Sequence, residues 1–232
     1  MVDVAERTQD AHSQEFRQFE KDVSSRDISA PSGVLGLLKI RFDTIVAGVF
    51  VILLSPFFVV ISMAILIEDR GTPIFFQPRF GKGGKPFNVL KFRTMRRNND
   101  TAGAKQTQDN DPRITRVGYI LRKTSLDELP QLLNVLFGKM SLVGPRAHPC
   151  EMRVQGILCE VMAPAYHDRH IVRPGITGWA QINGSRGAVK DEGMLQRRLD
   201  LDLAYIRNWS PILDLKIIWR TFAVVASCKE AR

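Results

Sequence analysis

Thr44-Ile-Val-Ala-Gly-Val-Phe-Val-Ile-Leu-Leu-Ser-Pro-Phe-Phe-Val-Val-Ile-Ser-Met-Ala-Ile-Leu-Ile67 runs for 24 residues without a charge. As a straight helix it measures about 36 Å, enough for a hydrocarbon layer of about 30 Å. A buried helix of a soluble protein is the alternative, but a chain of 232 residues has little interior to hide so long an apolar run. The segment begins too far from the N-terminus for a signal peptide, and what precedes it is acidic rather than basic. It is read as a membrane segment.

Its midpoint is Ser55-Pro56, with 12 residues on either side of the junction. Pro56 has no N–H for the carbonyl of Ile52 and its ring crowds that turn, so a bend is expected there. In lipid the released carbonyl needs a partner, which the Ser55 hydroxyl can supply. The residues leave two topologies open: a kinked single span, or a re-entrant helix with two halves of about 18 Å and both ends on one face. Lys39 and Arg41 before the segment and Arg70 after it do not mark a translocated side.

Outward from this segment the composition changes. Residues 1–35 hold seven acids and four bases, leaving 17 acids and 29 bases in the remainder of a chain whose net charge is +9. The first 34 residues read as a polar, disordered extension. The basic remainder points to an anionic partner: nucleic acid, an anionic membrane surface or a phosphorylated substrate. No helix-turn-helix, RRM or zinc module is recognisable, which argues against nucleic acid. Cys150, Cys159 and Cys228 are odd in number and lack CxxC spacing, so they read as reduced thiols, with no zinc site.

Residues 69–232 read as one cytoplasmic body. Pro73-Ile-Phe-Phe-Gln77 and Phe87-Asn-Val-Leu-Lys-Phe92 flank Gly81-Lys-Gly-Gly-Lys-Pro86, a β-hairpin signal with turn glycines rather than a phosphate loop. Residues 97–115 read as a loop, and 129–137, 193–208 and 213–225 as helices. Ile212 to Phe222 is amphipathic, with Trp219 inside it, and suits either the membrane interface or packing on the body.

Chemistry concentrates in Lys91-Phe-Arg-Thr-Met95, in Leu121-Arg-Lys-Thr-Ser-Leu-Asp-Glu-Leu-Pro-Gln131, and in Met140-Ser-Leu-Val-Gly-Pro-Arg146. Asp127 and Glu128 are adjacent carboxylates. One reading is structural: Ser125-x-x-Glu128 matches a capping box and Asp127 is a first-turn acid. A Ser125 cap, however, puts Pro130 inside the helix, where it removes a hydrogen bond. The other reading is catalytic: one carboxylate attacks phosphorus and its neighbour holds a metal ion. Mg²⁺ and the basic residues Lys91, Arg93, Arg122, Lys123 and Arg146 would then neutralise phosphate charge.

These residues carry a resemblance. Gln77-x-Arg79-x-Gly81, Lys91 to Met95, Asp111-Pro-Arg-Ile-Thr115, Arg122 to Gln131, Met140 to Arg146, Arg173-Pro-Gly-Ile-Thr-Gly178 and Tyr205-Ile-x-Asn-Trp-Ser210 occur in the order and spacing of the bacterial sugar transferases. These are small, membrane-bound polyprenyl-phosphate phosphoglycosyl transferases, and the likeness covers about Lys39 to Thr221. It implies Asp127 as nucleophile, Glu128 as Mg²⁺ ligand and Arg122 as a phosphate contact. Lys91, Arg93, Gln131, Pro145 and Arg146 are the further expected substrate residues. The family's Pro-Arg-Pro reads Pro145-Arg146-Ala147 here, losing the second proline. The family's Ser-Pro break matches Ser55-Pro56 and favours the re-entrant topology.

The resemblance therefore implies a mainly α chain with a small β-hairpin or sheet. The expected architecture is a membrane-anchored α+β domain, with a re-entrant helix at 35–68 and amphipathic interfacial helices. The implied reaction passes a sugar 1-phosphate from a UDP-sugar to undecaprenyl phosphate, releasing UMP, through a phosphosugar on Asp127. Gly178 to Gly187 resembles the hexose-1-phosphate members that load glucose or galactose in exopolysaccharide synthesis, although Ser185 stands where closer relatives often have Trp. The implied setting is the cytoplasmic face of the bacterial inner membrane, with homo-oligomerisation left open.

Overall fold

A computed structural model describes residues 28–96 and 111–226. The polar N-terminal extension up to residue 27 and most of the expected loop at 97–115 lie outside them. The apolar segment forms two helices, α1 (Gly33–Leu53) and α2 (Ser55–Glu68), bent by 61° at the break. The Ser55 hydroxyl donates to the Ile52 carbonyl at 2.8 Å, the acceptor that Pro56 leaves without an N–H. Among the described residues no single helix is long and apolar enough to cross a membrane; this bent pair passes only when taken together.

The pair is not free of the body. Ala47 of α1 is fully buried against Val89, Leu132, Val135 and Met140. Ile65 of α2 is buried with Phe92 and Leu121. The outward faces expose Val34, Ile45, Ile52, Phe57, Val60, Met63 and Ile67, among others.

Strands β1 (Ile74–Phe80) and β2 (Pro86–Phe92) pair antiparallel, with Ile74 opposite Phe92 and Phe80 opposite Pro86. At the hairpin's tip Gly83 and Gly84 both have φ near +70° (68° and 69°), which the lack of a Cβ permits. A helix that the periodicity did not reveal, α3 (Arg116–Thr124), follows, capped by Thr115, whose Oγ1 accepts from Gly118 N–H at 2.9 Å. Next come a 3₁₀ turn at Leu126–Glu128 and α4 (Gln131–Leu136).

The proline problem is resolved by breaking the helix. Pro130 sits just ahead of α4, so its missing N–H costs nothing. The expected helix at 129–137 is thus shorter at its start.

Strand β3 (Ser141–Val143) runs parallel to a later strand at Gly175–Thr177. Between them lie the short β4 (Arg153–Val154) and β5 (Ile157–Leu158), α5 (Cys159–Met162) and a 3₁₀ helix at Pro164–Ile171; the later strand is β6. Gly144 and Gly175 let these backbones touch, because a Cβ on Gly175 would lie 2.1 Å from the Gly144 nitrogen. The chain closes with α6 (Trp179–Ile182), α7 (Glu192–Arg207) and α8 (Pro211–Ala226). The main core gathers Val143, Tyr166, Trp179, Leu195, Leu199, Ile206 and Ile217. The described residues are mostly helical with three small two-stranded sheets, as expected for the body.

Helix α8 packs on the body with one face and leaves the other exposed. Leu213, Asp214 and Ile217 face the core, while Ile212, Leu215, Trp219 and Phe222 are exposed on the other side. Cys150 and Cys159 are free thiols, and burial pushes both up in pKa; Cys228 lies outside the described residues.

Asn134 of α4 holds the hairpin in register with the body. Its Oδ1 accepts from Leu90 N–H at 2.9 Å and its Nδ2 donates to the Asn88 carbonyl at 2.8 Å, so the side chain acts as a missing strand. Asn134→Ala would strip both groups of their partner at a site that is 5% exposed. A loss of about 2 kcal/mol is expected. Thermal unfolding of the purified protein in detergent checks it; an unchanged midpoint would mean that water replaces the amide.

Candidate active site

The turn between α3 and α4 is the centre of the site. Ser125 takes a left-handed conformation (φ 60°) and ends α3. Its hydroxyl does not cap the following turn; only its carbonyl accepts, from Glu128 N–H at 3.2 Å. The capping-box reading therefore fails, and Glu128's side chain is free for other partners.

Those partners come from two distant segments. Lys91, on β2, places Nζ 2.9 Å from Glu128 Oε1. Arg146, after β3, places Nη2 2.6 Å from the same oxygen and Nη1 3.3 Å from Oε2. The Glu128 side chain is only 14% exposed. Burial works to raise its pKa, but the Arg146 guanidinium and the Lys91 ammonium hold it well below the usual carboxylate range. Glu128 is an anion locked between two cations.

Asp127 has the opposite environment. It is half-buried, and burial together with the Glu128 charge pushes its pKa up to about 6, against the pull of Lys91, Arg122 and Arg146. Two adjacent carboxylates with pKa values driven apart suit different roles. An ionised Glu128 keeps its neighbour's charge energetically costly, hence available to bond an electrophile.

The remaining expected residues are spread around this pair. Arg122, on the last turn of α3, acts on Asp127 through its charge. Gln131 is buried at the start of α4, and Pro145 is buried ahead of Arg146. Arg93 lies elsewhere: 7% exposed, it donates to the Asp69 carbonyl, stands 3.4 Å from the Asp69 carboxylate, and so ties the end of α2 to β2. Ser55 and Pro56 stand at the bend. No group of three or more acidic, His or Cys side chains suited to a metal occurs among the described residues. An Asp-Glu pair nevertheless suits Mg²⁺, which commonly takes one or two carboxylates and completes its shell with water and substrate phosphate.

The Arg146 loop is held from behind. Arg169 donates to the Arg146 carbonyl at 2.6 Å and pairs with Asp202 of α7 at 2.6 Å, both side chains 2% exposed. Arg79 donates to the Ala147 carbonyl at 2.6 Å, and Gly175 N–H to the Pro145 carbonyl at 2.9 Å. Where the second proline of the family motif is absent, hydrogen bonds thus fix the loop. His148 and His170 bring no charge here: burial, then the nearby Arg169, drives both down, His170 to about 4.

Sequence reading did not single out Arg169, Arg198, Asp202 or Arg186. A signal existed for two of them. Arg198 and Asp202 fall in phase with Leu195, Leu199 and Ile206, on the buried face of α7.

Comparison with known proteins places this geometry in context. A model of the bacterial sugar transferases matches residues 34–228. An undecaprenyl-phosphate glucose phosphotransferase of Komagataeibacter xylinus is 48% identical over 186 residues, 80% of this chain and 35% of that protein. The exopolysaccharide production protein PSS of Rhizobium leguminosarum bv. phaseoli is 46% identical over 186 residues, 80% of this chain and 93% of that one. A UDP-glucose:undecaprenyl-phosphate glucose-1-phosphate transferase of Escherichia coli (strain K12) is 45% identical over 190 residues, 82% of this chain but 40% of its relative. The chain thus spans well under half the length of the first and third of these proteins. With the match covering everything from α1 to the end of α8, the chain belongs to the bacterial sugar transferase family.

Proposed function

We propose that this chain passes a sugar 1-phosphate from a UDP-sugar to undecaprenyl phosphate, as the first membrane step of exopolysaccharide or glycoconjugate synthesis. The observation that carries it is the divided pair: Glu128 clamped by Lys91 and Arg146 beside an Asp127 with a raised pKa. Glucose is the favoured sugar, because relatives at 45% and 48% identity are named for it; galactose is the second choice. A relative at 39% is named for N-acetylgalactosamine, so the family varies at this point.

In this reading an Asp127 oxygen attacks the phosphorus that bears the sugar. The bond to the bridging oxygen breaks, UMP leaves, and an acyl phosphate joins Asp127 to the sugar phosphate. The undecaprenyl phosphate oxygen then attacks the same phosphorus and expels the Asp127 carboxylate, yielding the lipid diphosphate sugar. Arg122 and Arg146 bind phosphoryl oxygens, and Lys91 keeps Glu128 ionised. Mg²⁺, held by Glu128 with Asp127 beside it, would supply charge neutralisation at the phosphates.

The exposed apolar surface supports a membrane seat on the cytoplasmic side of the bacterial inner membrane. It covers the outer faces of α1 and α2 and recurs as Tyr119 and Ile120 on α3 and Ile212, Leu215, Trp219 and Phe222 on α8. So many large exposed apolar side chains on a soluble surface are unusual, and indoles favour the interface. A re-entrant pair, bent at Ser55-Pro56, would keep both ends cytoplasmic.

Three outcomes are expected. Incubated with UDP-glucose and Mg²⁺ but no lipid acceptor, the protein should gain a hexose-phosphate mass that peptide mapping places on Asp127. Asp127→Asn should show neither adduct nor UMP; an active Asp127→Asn protein would sink the covalent step. The nucleophile works only when ionised, so the donor kcat/KM should fall about tenfold per pH unit below about pH 6 and level off above it. A profile flat from pH 5 to pH 8 would exclude Asp127 as the titrating group. Finally, cysteines placed before residue 40 should resist labelling by periplasmic reagents in intact cells, whereas Pro56→Ala should straighten the pair and expose them; ready labelling in the unaltered protein would mean a full span.

A further inference from the structure

The loop from Asn183 to Lys190 joins α6 to α7 and returns to the catalytic turn. It is pinned at both shoulders. Ser185 N–H donates to the Ala180 carbonyl at 2.9 Å and Asn183 Nδ2 to the Trp179 carbonyl at 2.8 Å. Arg198 of α7 donates to the Gly187 carbonyl at 2.6 Å and reaches Ser185 Oγ at 3.3 Å. Between the pins stands Arg186, half-buried, with Nη2 2.6 Å from the Ser125 hydroxyl. Ser125 is two residues before Asp127 and in the left-handed conformation.

The contact is unlike the others in the site. Lys91 and Arg146 both rest on the Glu128 carboxylate. Arg186 rests on a neutral hydroxyl, and among the described residues no carboxylate pairs with it. A guanidinium has five N–H donors in a planar fork, and a single hydroxyl uses little of it. The loop around it is exposed at Gly184 and Gly187, where an added Cβ would meet nothing within 4 Å. A cation of this kind, parked one turn from the nucleophile, is placed to take an anion when one arrives.

We propose that Arg186 is a substrate-binding residue that leaves Ser125 to hold a phosphate group by two N–H···O bonds. The loop's pins, Arg198 above all, set its reach. This rests on the phosphoryl-transfer reading of Asp127. The phosphate belongs either to the diphosphate of the donor or to the monophosphate of the lipid acceptor, and the two sources are separable.

Dissociation constants of UDP and of undecaprenyl phosphate, measured by calorimetry on the full chain in detergent with Mg²⁺, are compared for the unaltered protein, Arg186→Ala, Arg186→Lys and Ser125→Ala. Arg186→Ala should weaken one of the two ligands by at least about tenfold, with the melting temperature unchanged. Arg186→Lys should recover part of the loss, and added guanidinium ion should partly restore Arg186→Ala. Ser125→Ala, which removes only the resting contact, should weaken that ligand far less. Weakened UDP assigns Arg186 to the donor; weakened undecaprenyl phosphate assigns it to the acceptor. Binding of both within about twofold of the unaltered protein, or equal losses in Ser125→Ala and Arg186→Ala without guanidinium rescue, would make Arg186 a prop for the turn and overturn the proposal. Binding that behaves as expected in a protein that releases no UMP would defeat the reaction reading alone.

Discussion

A carboxylate that is nearly buried has to be neutralised, and Glu128 meets that demand with cations from two separate parts of the chain. Lys91 comes from the hairpin, Arg146 from the loop after β3. Neither can reach Glu128 unless β2, the 3₁₀ turn and β3 are already in place. Satisfying one acid therefore positions three elements at once, and the same charge lifts the pKa of Asp127 beside it. The clamp holds Glu128 ionised and, through that charge, raises the pKa of Asp127, so the two effects cannot be separated by mutation of Glu128 alone.

Behind the clamp runs a second polar layer that belongs to α7. Asp202 pairs with Arg169, which holds the Arg146 carbonyl; Arg198, four residues earlier, holds the Ser185 to Gly187 loop. One helix thus fixes both the Arg146 loop and the Ser185 to Gly187 loop. Burying such charges contributes little to stability compared with apolar side chains of the same volume. Their value here lies in geometry: a planar guanidinium on a main-chain carbonyl sets where a loop sits more narrowly than a Leu against a Leu. Burial lowers Arg198 to about 10, still high enough to keep it charged at neutral pH.

What was legible in the sequence followed from local rules. An uncharged run with a central Ser-Pro specifies a bent apolar pair, and turn glycines between two β-branched and aromatic runs specify a hairpin. What was not legible depended on contacts distant in the chain. Ser125-x-x-Glu128 has the pattern of a capping box, yet Lys91 and Arg146 outbid the backbone for Glu128, and Ser125 turns left-handed with its hydroxyl on Arg186. Asn134 gave no sign that it would replace a strand beside β2. Arg93 sits in a basic motif two residues from Lys91, a spacing that would put both on one face of a strand, but β2 ends at Phe92 and Arg93 binds Asp69 instead.

The apolar pair and the Asp127 turn are joined by polar contacts as well as by packing. Glu68, the last residue of α2, accepts from the first N–H groups of α3, Arg116 at 2.7 Å and Val117 at 2.8 Å. Those groups lie at the positive end of the α3 dipole, where a carboxylate is favoured. Helix α3 then leads to Ser125, which ends it, and to Asp127 in the 3₁₀ turn that follows. At the other end of the pair, Lys39 of α1 bonds Asp214 of α8 at 2.6 Å, and Asp214 also accepts from Tyr205 at 2.8 Å and Trp209 at 3.0 Å. Asp43 accepts from the Ser141 hydroxyl of β3 at 2.5 Å. A tilt of either helix of the pair would have to break one of these bonds or carry the body with it. In the proposed membrane seat, the height of Asp127 above the lipid is accordingly set by the Glu68, Lys39 and Asp43 contacts rather than by the length of the apolar run.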